Sequence, residues 1–436
     1  MIYKNLPQAL YTEKLLELAA SSGAQHAEVY QSQALSRPVF FEANRLKQLE
    51  STQSEGVALR LWKEGRPGLA VAYGPVEPQD LVDRALIMSQ LNQPEPVELA
   101  EAQTVHYPDL GETVSVEELV SMGKEAIALI RDAYPDVLCT AEWECESETT
   151  RLVNSAGLDC HYTDTTLSCF LSADWVRGDD FLSVADGQTQ RDTLNPDQVA
   201  QQILQRLSWA KENVTPTTGR VPILLTAKAA DLLWDTVQIA FNGKRVLEGA
   251  TPWNNSLGQQ VTSSTLNISQ QPALGPYSCP FDDEGTPTQP LVFIQEGRLQ
   301  QFYSDRTTGR MLGTGTTGNG FRPSMGSYPT PGLVNLLIQP GKGSLLQLIK
   351  QLDQGLVVDQ ILGGGAGISG DFSINVELGY QVDKGQIVGR VKDTMVAGNV
   401  YNALKEMVAL GEDADWNGPC YTPSLIVEGL CVTSKF

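Results

Sequence analysis

The segment between Val137 and Asp186 constrains the fold of this chain more than any other. It consists of short runs of β-forming residues separated by turn residues, of which Asn154–Gly157 is the clearest turn. Strands that follow one another across tight turns run antiparallel, because a parallel connection needs a crossover of about a dozen residues or more. The segment therefore predicts an antiparallel meander.

Helix-capping patterns place helices on both sides of this meander. Ser115, followed three residues later by Glu118, forms a capping box for a helix that ends near Tyr134, and Asn195 before Pro196 begins another. Apolar spacing predicts further helices at residues 7–22, 77–91, 226–242 and 344–354. Since no regular strand–helix–strand period and no internal repeat is present, the chain is predicted to have an α+β fold with mixed or antiparallel sheets.

The proline-rich stretch at 92–111 contains few large apolar residues and marks the first domain boundary. With 436 residues and roughly 150 residues per domain, two or three domains are expected. We predict an N-terminal α/β sandwich-like domain with a mixed or antiparallel sheet, which occupies residues 1–110 together with its linker. A central α+β meander follows at 111–215, and a larger β-rich C-terminal domain occupies 216–436.

Charge and cysteine content restrict the class of protein. Lys and Arg number 31 against 52 Asp and Glu, which gives a net charge of −21 and argues against direct binding of nucleic acid or anionic lipid. Seven cysteines without a C-x-x-C pair indicate reduced thiols. The N-terminus lacks the apolar core of a signal peptide, and no apolar run approaches the ~20 residues of a membrane span. We therefore expect a cytoplasmic protein without a membrane segment.

The common catalytic motifs are missing. The three histidines, His26, His106 and His161, are too far apart in sequence for two of them to share a helix turn as zinc ligands. Cys160 and His161 are adjacent on a predicted strand and point to opposite faces, so packing is the expected role of this pair. Neither a G-x-S-x-G elbow nor a phosphate-binding P-loop occurs.

Two further patterns carry weaker signals. G-x-G-x-x-G occurs at 313–318 and at 365–370, but neither string lies between a strand and a helix, so turn glycines are favoured over a nucleotide site. Asp282, Asp283 and Glu284 could offer oxygen ligands to a hard cation, yet they lack the alternate spacing of a calcium loop. A solvated turn is the favoured reading of this acidic cluster.

Ordered blocks along nearly the whole chain resemble the TldD/PmbA family, also called modulators of DNA gyrase. The N-terminal block reads HAEVYQSQ, and the more specific C-terminal blocks read PFDDEGTPTQPLVFIQEGRLQQFYSDRTTGRMLG and GGGAGISGDFSINVELGYQVDKGQIVGRVKDTMVAGNVYNAL. Within these blocks, residues 369–373 and 397–399 are similar to family signatures. Direct binding of this chain to DNA fits poorly with its net charge of −21, so any effect on gyrase is expected to be indirect.

The resemblance implies a branch as well as a family. TldD members carry His-Glu-x-x-x-His on a helix after a strand, plus a distant Cys, and bind zinc as metallopeptidases. The corresponding segment here, 222–237, has neither His nor a His-Glu pair, and 363–367 has no Cys. The chain is thus similar to the PmbA or TldE branch. That branch implies no catalytic residue and no cofactor in this chain, with zinc expected only in a TldD-type partner.

The function that the resemblance implies is that of a non-catalytic subunit in a cytoplasmic peptidase acting on unfolded or extended peptides. A homodimer or heterodimer is expected. A stand-alone peptide-binding or scaffolding homodimer is the alternative, and a hydrolase using the acidic cluster with a bound cation is a third hypothesis. A glycine-rich strand edge at 363–372 would let a peptide backbone approach closely, although tight packing at a domain junction would also explain its glycines. The candidate substrate-binding residues are Asp282, Asp283, Glu284, Gly365, Gly367, Ser369, Gly370 and Asp371.

Overall fold

The structure, a computed structural model, describes residues 8–363 and 365–435; Gly364 of the predicted glycine-rich edge lies outside this range. The helices of the described residues are α1 (Gln8–Ser21), α2 (Pro78–Leu91), α3 (Val116–Ala133), α4 (Pro196–Trp209), α5 (Asp231–Ala240), α6 (Gly243–Leu247), α7 (Arg306–Leu312), α8 (Leu345–Leu352) and α9 (Val400–Lys405). No helix in this part of the chain is both long and apolar enough to cross a membrane.

Strands up to residue 190 belong to the first sheet. They are β1 (His26–Glu42), β2 (Arg45–Leu49), β3 (Thr52–Lys63), β4 (Arg66–Tyr73), β5 (Gln103–His106), β6 (Leu138–Asn154), β7 (Leu158–Arg177) and β8 (Asp180–Gln190). The eight strands are ordered β4-β3-β1-β6-β7-β5, with β2 on β1 and β8 on β7.

The predicted antiparallel meander is confirmed, but its strands are longer than the sequence runs. The separate runs merge into β6 and β7, which pair antiparallel along nearly their full length, and β8 pairs antiparallel with β7. Because β1 also pairs with β6, one sheet continues across the boundary predicted near residue 110. The domain limits themselves stay a prediction.

Two capped helices cover one face of this sheet. Ser115 Oγ accepts a hydrogen bond from the Glu118 N–H at 3.2 Å, and Asn195 Oδ1 accepts one from the Gln198 N–H at 3.0 Å, so both predicted N-caps are confirmed. Helices α3 and α4 pack their apolar sides on inward residues of β6, among which Trp143 is fully buried.

The remaining strands are β9 (Asn213–Val214), β10 (Gly219–Arg220), β11 (Ile223–Leu225), β12 (Ile268–Gln270), β13 (Leu291–Gln295), β14 (Arg298–Leu299), β15 (Gly320–Phe321), β16 (Thr330–Pro331), β17 (Leu336–Ile338), β18 (Gly355–Leu362), β19 (Asp371–Asp383), β20 (Gln386–Val391), β21 (Thr394–Asn399), β22 (Met407–Leu410), β23 (Asp415–Asn417), β24 (Cys420–Thr422), β25 (Leu425–Val427) and β26 (Cys431–Ser434).

These strands form the β-rich C-terminal part. A ten-stranded mixed sheet has β11 between β18, its parallel neighbour, and β25, its antiparallel neighbour. A six-stranded sheet is ordered β14-β13-β12-β17-β24-β23. Helix α5 packs in the core with both sheets, and its Trp234 is fully buried. The predicted α+β class with a larger β-rich C-terminal part is confirmed.

The two large sheets share a second core. Tyr380 and Val382 of β19 lie in the same buried cluster as Ile203 and Leu207 of α4 and Trp143 of β6. Helix α4 therefore lies between the sheet of the N-terminal half and the sheet of the C-terminal half.

Candidate functional site

A cavity of about 1440 Å³ opens where the first sheet, α4 and the C-terminal part meet. Its walls come from β8, α4, the end of β18, the residues that lead into α5, and the segment 413–418. The volume exceeds the ~300–1,000 Å³ that is usual for small-molecule pockets. It is large enough for a segment of polypeptide.

A buried ion network lies at the wall of this cavity. Arg206 Nε of α4 donates to Asp359 Oδ2 of β18 at 2.7 Å, and Arg206 Nη1 lies 3.2 Å from Asp186 Oδ2 of β8. Lys228 Nζ lies 2.5 Å from Asp186 Oδ1. Because buried charges are tolerated only when they are paired, this network holds the walls in one relative position.

Burial and charge act against each other in this network. Burial lowers the pKa of Arg206, but Asp359 and Asp186 outweigh it and raise the pKa above its ordinary value. Burial lowers the pKa of Lys228 more than Asp186 raises it. Arg206 is therefore the permanent cation of the site.

Two carboxylates of the cavity keep an oxygen without a partner. Asp359 is fully buried, and its Oδ1 accepts no hydrogen bond from the described residues. Asp231, at the start of α5, accepts from Asn417 Nδ2 at 2.6 Å through Oδ2, while its buried Oδ1 has no partner within residues 8–363 and 365–435. Burial, with the nearby Asp235 adding to it, raises the pKa of Asp231 to about 7.

The residues of α5 do not fit a zinc site. Trp234 is buried and donates its Nε1–H to Thr422 Oγ1 at 2.6 Å, and the next residue, Asp235, is exposed. Zinc needs about four N, S or O ligands at close range. Within residues 8–363 and 365–435, no group of three or more His, Cys, Asp or Glu could hold a metal ion.

The glycine-rich segment lies against α5 and divides into two parts. Thr236 Oγ1 of α5 donates to the Ala366 carbonyl at 3.1 Å. Gly365 and Gly367 are exposed, and a Cβ on either would meet no atom within 4 Å. Gly370 has φ +82°, and a Cβ there would lie 2.6 Å from the Tyr401 ring. Tight packing therefore explains the glycine at position 370, whereas the backbone at Gly365 and Gly367 is accessible.

The neighbouring signature residues order this loop. Asn399 Nδ2 donates to the Ser369 carbonyl at 3.0 Å and to Asp371 Oδ1 at 2.8 Å, and Tyr401 Oη donates to the Ile368 carbonyl at 2.8 Å. Ser369 and Asp371 are both exposed. Their predicted contact with substrate stays a prediction.

The acidic cluster is not a solvated turn, so that expectation is wrong. Asp282 and Glu284 are buried. The Asp282 carboxylate accepts from the backbone N–H groups of Glu284, Thr286 and Gly320 at 2.8–3.1 Å. Asp283 accepts from the Arg322 N–H. These hydrogen bonds hold a loop together, and burial raises the pKa of Asp282 to about 7 and that of Glu284 to about 8.

The two groups of predicted site residues are not brought together. Among the described residues, no hydrogen bond or ion pair joins the acidic cluster at 282–284 to the segment 365–371. Neither group lines the large cavity.

Sequence reasoning missed the ion network, although signals for it exist. Arg206 interrupts a helical stripe of Val199, Ile203 and Leu207, and Asp359 interrupts the apolar run of β18. A charged residue at a core position predicts a buried partner.

A histidine pair was also missed. His106 of β5 pairs in register with His161 of β7, and His106 Nδ1 lies 3.0 Å from the ring nitrogens of His161. Both line a smaller cavity of about 310 Å³ beside Arg151. No sequence pattern predicts this register, because β5 lies in the proline-rich stretch.

Comparisons with known proteins give the family. Models described as PmbA/TldA metallopeptidase domain 1, central domain and C-terminal domain match residues 27–89, 109–211 and 218–434. The chain is 25% identical over 431 residues to an uncharacterised protein of Methanocaldococcus jannaschii, covering 96% of this chain and 98% of that protein. It is 26% identical over 434 residues to the metalloprotease PmbA of Escherichia coli O157:H7, covering 94% and 92%.

A solved structure shares the fold. The crystal structure of TldE from Thermococcus kodakarensis superposes with a TM-score of 0.90 at 23% identity, covering 97% of this chain and 100% of that one. The resemblance read from the sequence is therefore confirmed, and the chain belongs to the PmbA/TldD metallopeptidase family.

Proposed function

We propose that this chain is the non-catalytic, TldE-like subunit of a cytoplasmic TldD/TldE-type peptidase that acts on unfolded or extended peptides. One observation carries the proposal. Helix α5 stands where the family resemblance expects the zinc-binding helix, but it carries a buried Trp234 and an exposed Asp235 and no histidine that could bind zinc. The large cavity beside the start of this helix supports a role in holding substrate.

The edge strand β8 suggests how a peptide would be held. Among the described residues, β8 pairs with β7 alone, and residues 183 and 185–189 of β8 line the cavity. The Ala185 carbonyl accepts from Lys228 Nζ and Gln360 Nε2, so side chains rather than a strand occupy that position. Beyond Ala185, an extended peptide can add to such an edge by main-chain hydrogen bonds, and this kind of binding tolerates many sequences.

Reconstitution with a TldD-type zinc peptidase tests the proposal. An unstructured peptide is incubated with the zinc subunit alone, with this chain alone, and with both, and its fragments are quantified by mass spectrometry. We expect cleavage only in the mixture. Equal cleavage by the zinc subunit alone would contradict the proposal, and peptide binding without any effect on cleavage would favour the scaffolding homodimer.

Metal analysis provides an independent check. The chain purified alone without chelator is expected to carry no stoichiometric transition metal, measured by elemental analysis against protein concentration. A stoichiometric metal that is lost in an Asp282→Ala variant, together with turnover by this chain alone, would favour the hydrolase hypothesis instead.

A further inference from the structure

The large cavity is strongly unbalanced in charge. Seven carboxylates line it, against two cationic side chains, Arg206 and Lys228. Both cations are engaged by Asp186 and Asp359. In the part of the chain that the structure describes, no Lys, Arg or His lies within 4.0 Å of the other five cavity carboxylates, which are Asp174, Asp231, Glu377, Asp413 and Asp415.

A second observation points to a missing donor. Asp359 lines the cavity, is 0% exposed, and has an Oδ1 without a hydrogen-bond partner among the residues that the structure describes. In the same part of the chain, Asp231 likewise has a buried Oδ1 without a partner. Buried polar atoms are normally paired, so each of these oxygens can still accept a hydrogen bond from a donor that reaches it. An ammonium or guanidinium group donates without accepting, which suits carboxylate oxygens.

The raised pKa values of two cavity carboxylates are consistent with their lack of a cationic partner among the described residues. Burial, then repulsion by Asp235, raises the pKa of Asp231, and burial also raises the pKa of Asp415. A bound cation would stabilise the charged forms of both groups.

Aromatic side chains line the cavity together with these carboxylates. Phe170 of β7 and Phe181 of β8 are 52% and 57% exposed. Trp416 also lines the cavity and is half-buried. Long cationic side chains pack their methylene stems on such rings, and their charged heads interact with ring faces. The combination fits Lys or Arg side chains better than a small inorganic cation.

We infer that this cavity selects extended peptide segments that carry Lys or Arg side chains. The inference rests on the proposed function and adds the substrate class to it. The occupant is a peptide rather than a small polyamine, because the volume of about 1440 Å³ exceeds that of a small-molecule pocket.

Three matched peptides test the inference with the full chain. They are unstructured Gly/Ser decapeptides labelled with a fluorophore, with Lys, Gln or Glu at the same alternate positions, and binding is measured by fluorescence anisotropy. We expect the Lys peptide to bind about tenfold more tightly than the Gln peptide, with an affinity that falls as salt rises, and the Glu peptide to bind most weakly.

A pair of variants locates the effect. Asp174→Asn/Asp231→Asn/Glu377→Gln neutralises three cavity carboxylates, and Glu112→Gln/Glu125→Gln/Asp132→Asn neutralises three exposed carboxylates that do not line the cavity. Both change the net charge by the same amount. We expect the cavity variant to lose most of the preference for the Lys peptide and the control variant to keep it, with thermal unfolding confirming that both are folded.

Each remaining outcome overturns the inference. Equal binding of the three peptides, or no binding, shows that the cavity does not select cationic peptides. If both variants lose the preference for the Lys peptide equally, the peptide is attracted only by the overall negative charge of the protein. Competition by spermidine as strong as that by the Lys peptide shows a small-cation site. Failure of the proposed function is seen separately, as absence of stimulated cleavage for every peptide in the reconstituted mixture.

Discussion

Replacing Arg206 by Met tests whether the buried ion network holds the two halves of the molecule together. Arg206 binds Asp359 of β18 and Asp186 of β8, and its Nη1 also donates to the Gln202 carbonyl and side chain. The Arg206 side chain is 5% exposed, and those of Asp359 and Asp186 are 0% and 7% exposed. Methionine fills a similar length without supplying charge.

The expected loss follows from this burial. Removing one partner of a buried pair leaves an uncompensated charge and typically costs about 3–5 kcal/mol of unfolding free energy. Lys228 still neutralises Asp186, so most of the lost stability comes from the unpaired charge of Asp359. In an Asp359→Asn background, we therefore expect the cost of Arg206→Met to shrink by about 1–3 kcal/mol.

Urea unfolding followed by tryptophan fluorescence measures both effects. Arg245→Met is the matched control, because Arg245 pairs with Glu248 on the surface at 47% and 40% exposure, and its loss should cost below about 1 kcal/mol. A cost for Arg206→Met no larger than that of the control, or an unchanged cost in the Asp359→Asn background, would refute the structural role of the network.

Two further predictions concern the segments singled out by the sequence. Gly370→Ala should destabilise the protein by about 1–3 kcal/mol, since φ is +82° and the new Cβ would clash with Tyr401, whereas Gly367→Ala should cost about 0.5 kcal/mol or less; thermal unfolding of the two variants compares them. Burial raises the pKa of Glu284 from 4.5 to about 8, so the folded state binds this proton more tightly than the unfolded state does, and stability should fall as pH rises between these values. Glu284→Gln should reduce that decline in urea midpoints measured across this pH range, and an unchanged slope would contradict the assignment.

The sequence predicts features whose causes are local. The N-caps at Ser115 and Asn195 depend on hydrogen bonds that span three residues, and the turn at Asn154–Gly157 depends on the same short range. Such signals place the helices and the meander. The strand order of the sheets is contained in no local signal and was not predicted.

Features that depend on distant pairing escape this reasoning. Arg206 and Asp359 are 153 positions apart, and His106 and His161 are brought together only by the register of β5 on β7. The acidic cluster at 282–284 was expected to be exposed because its composition is polar. Backbone N–H groups from Gly320 and Arg322 satisfy its carboxylates instead, and their approach is set by the tertiary fold.

Arg206 can affect peptide binding in two opposite ways. Whether its removal raises or lowers the peptide affinity distinguishes them. If it acts only as a charge, its removal leaves Asp359 without its cation, while Lys228 still pairs with Asp186, and it strengthens the attraction of a Lys peptide alone. If it acts by positioning, its removal lets the walls formed by β8 and β18 move, and every peptide binds more weakly. The second outcome follows from the structure, because Arg206 pairs with a buried carboxylate on each wall, and neither Asp186 nor Asp359 is exposed enough to reach bulk solvent without a shift of its strand. Cavity shape and cavity charge are thus set by different residues, the shape by the paired network and the charge by the five carboxylates that have no cationic partner among the described residues.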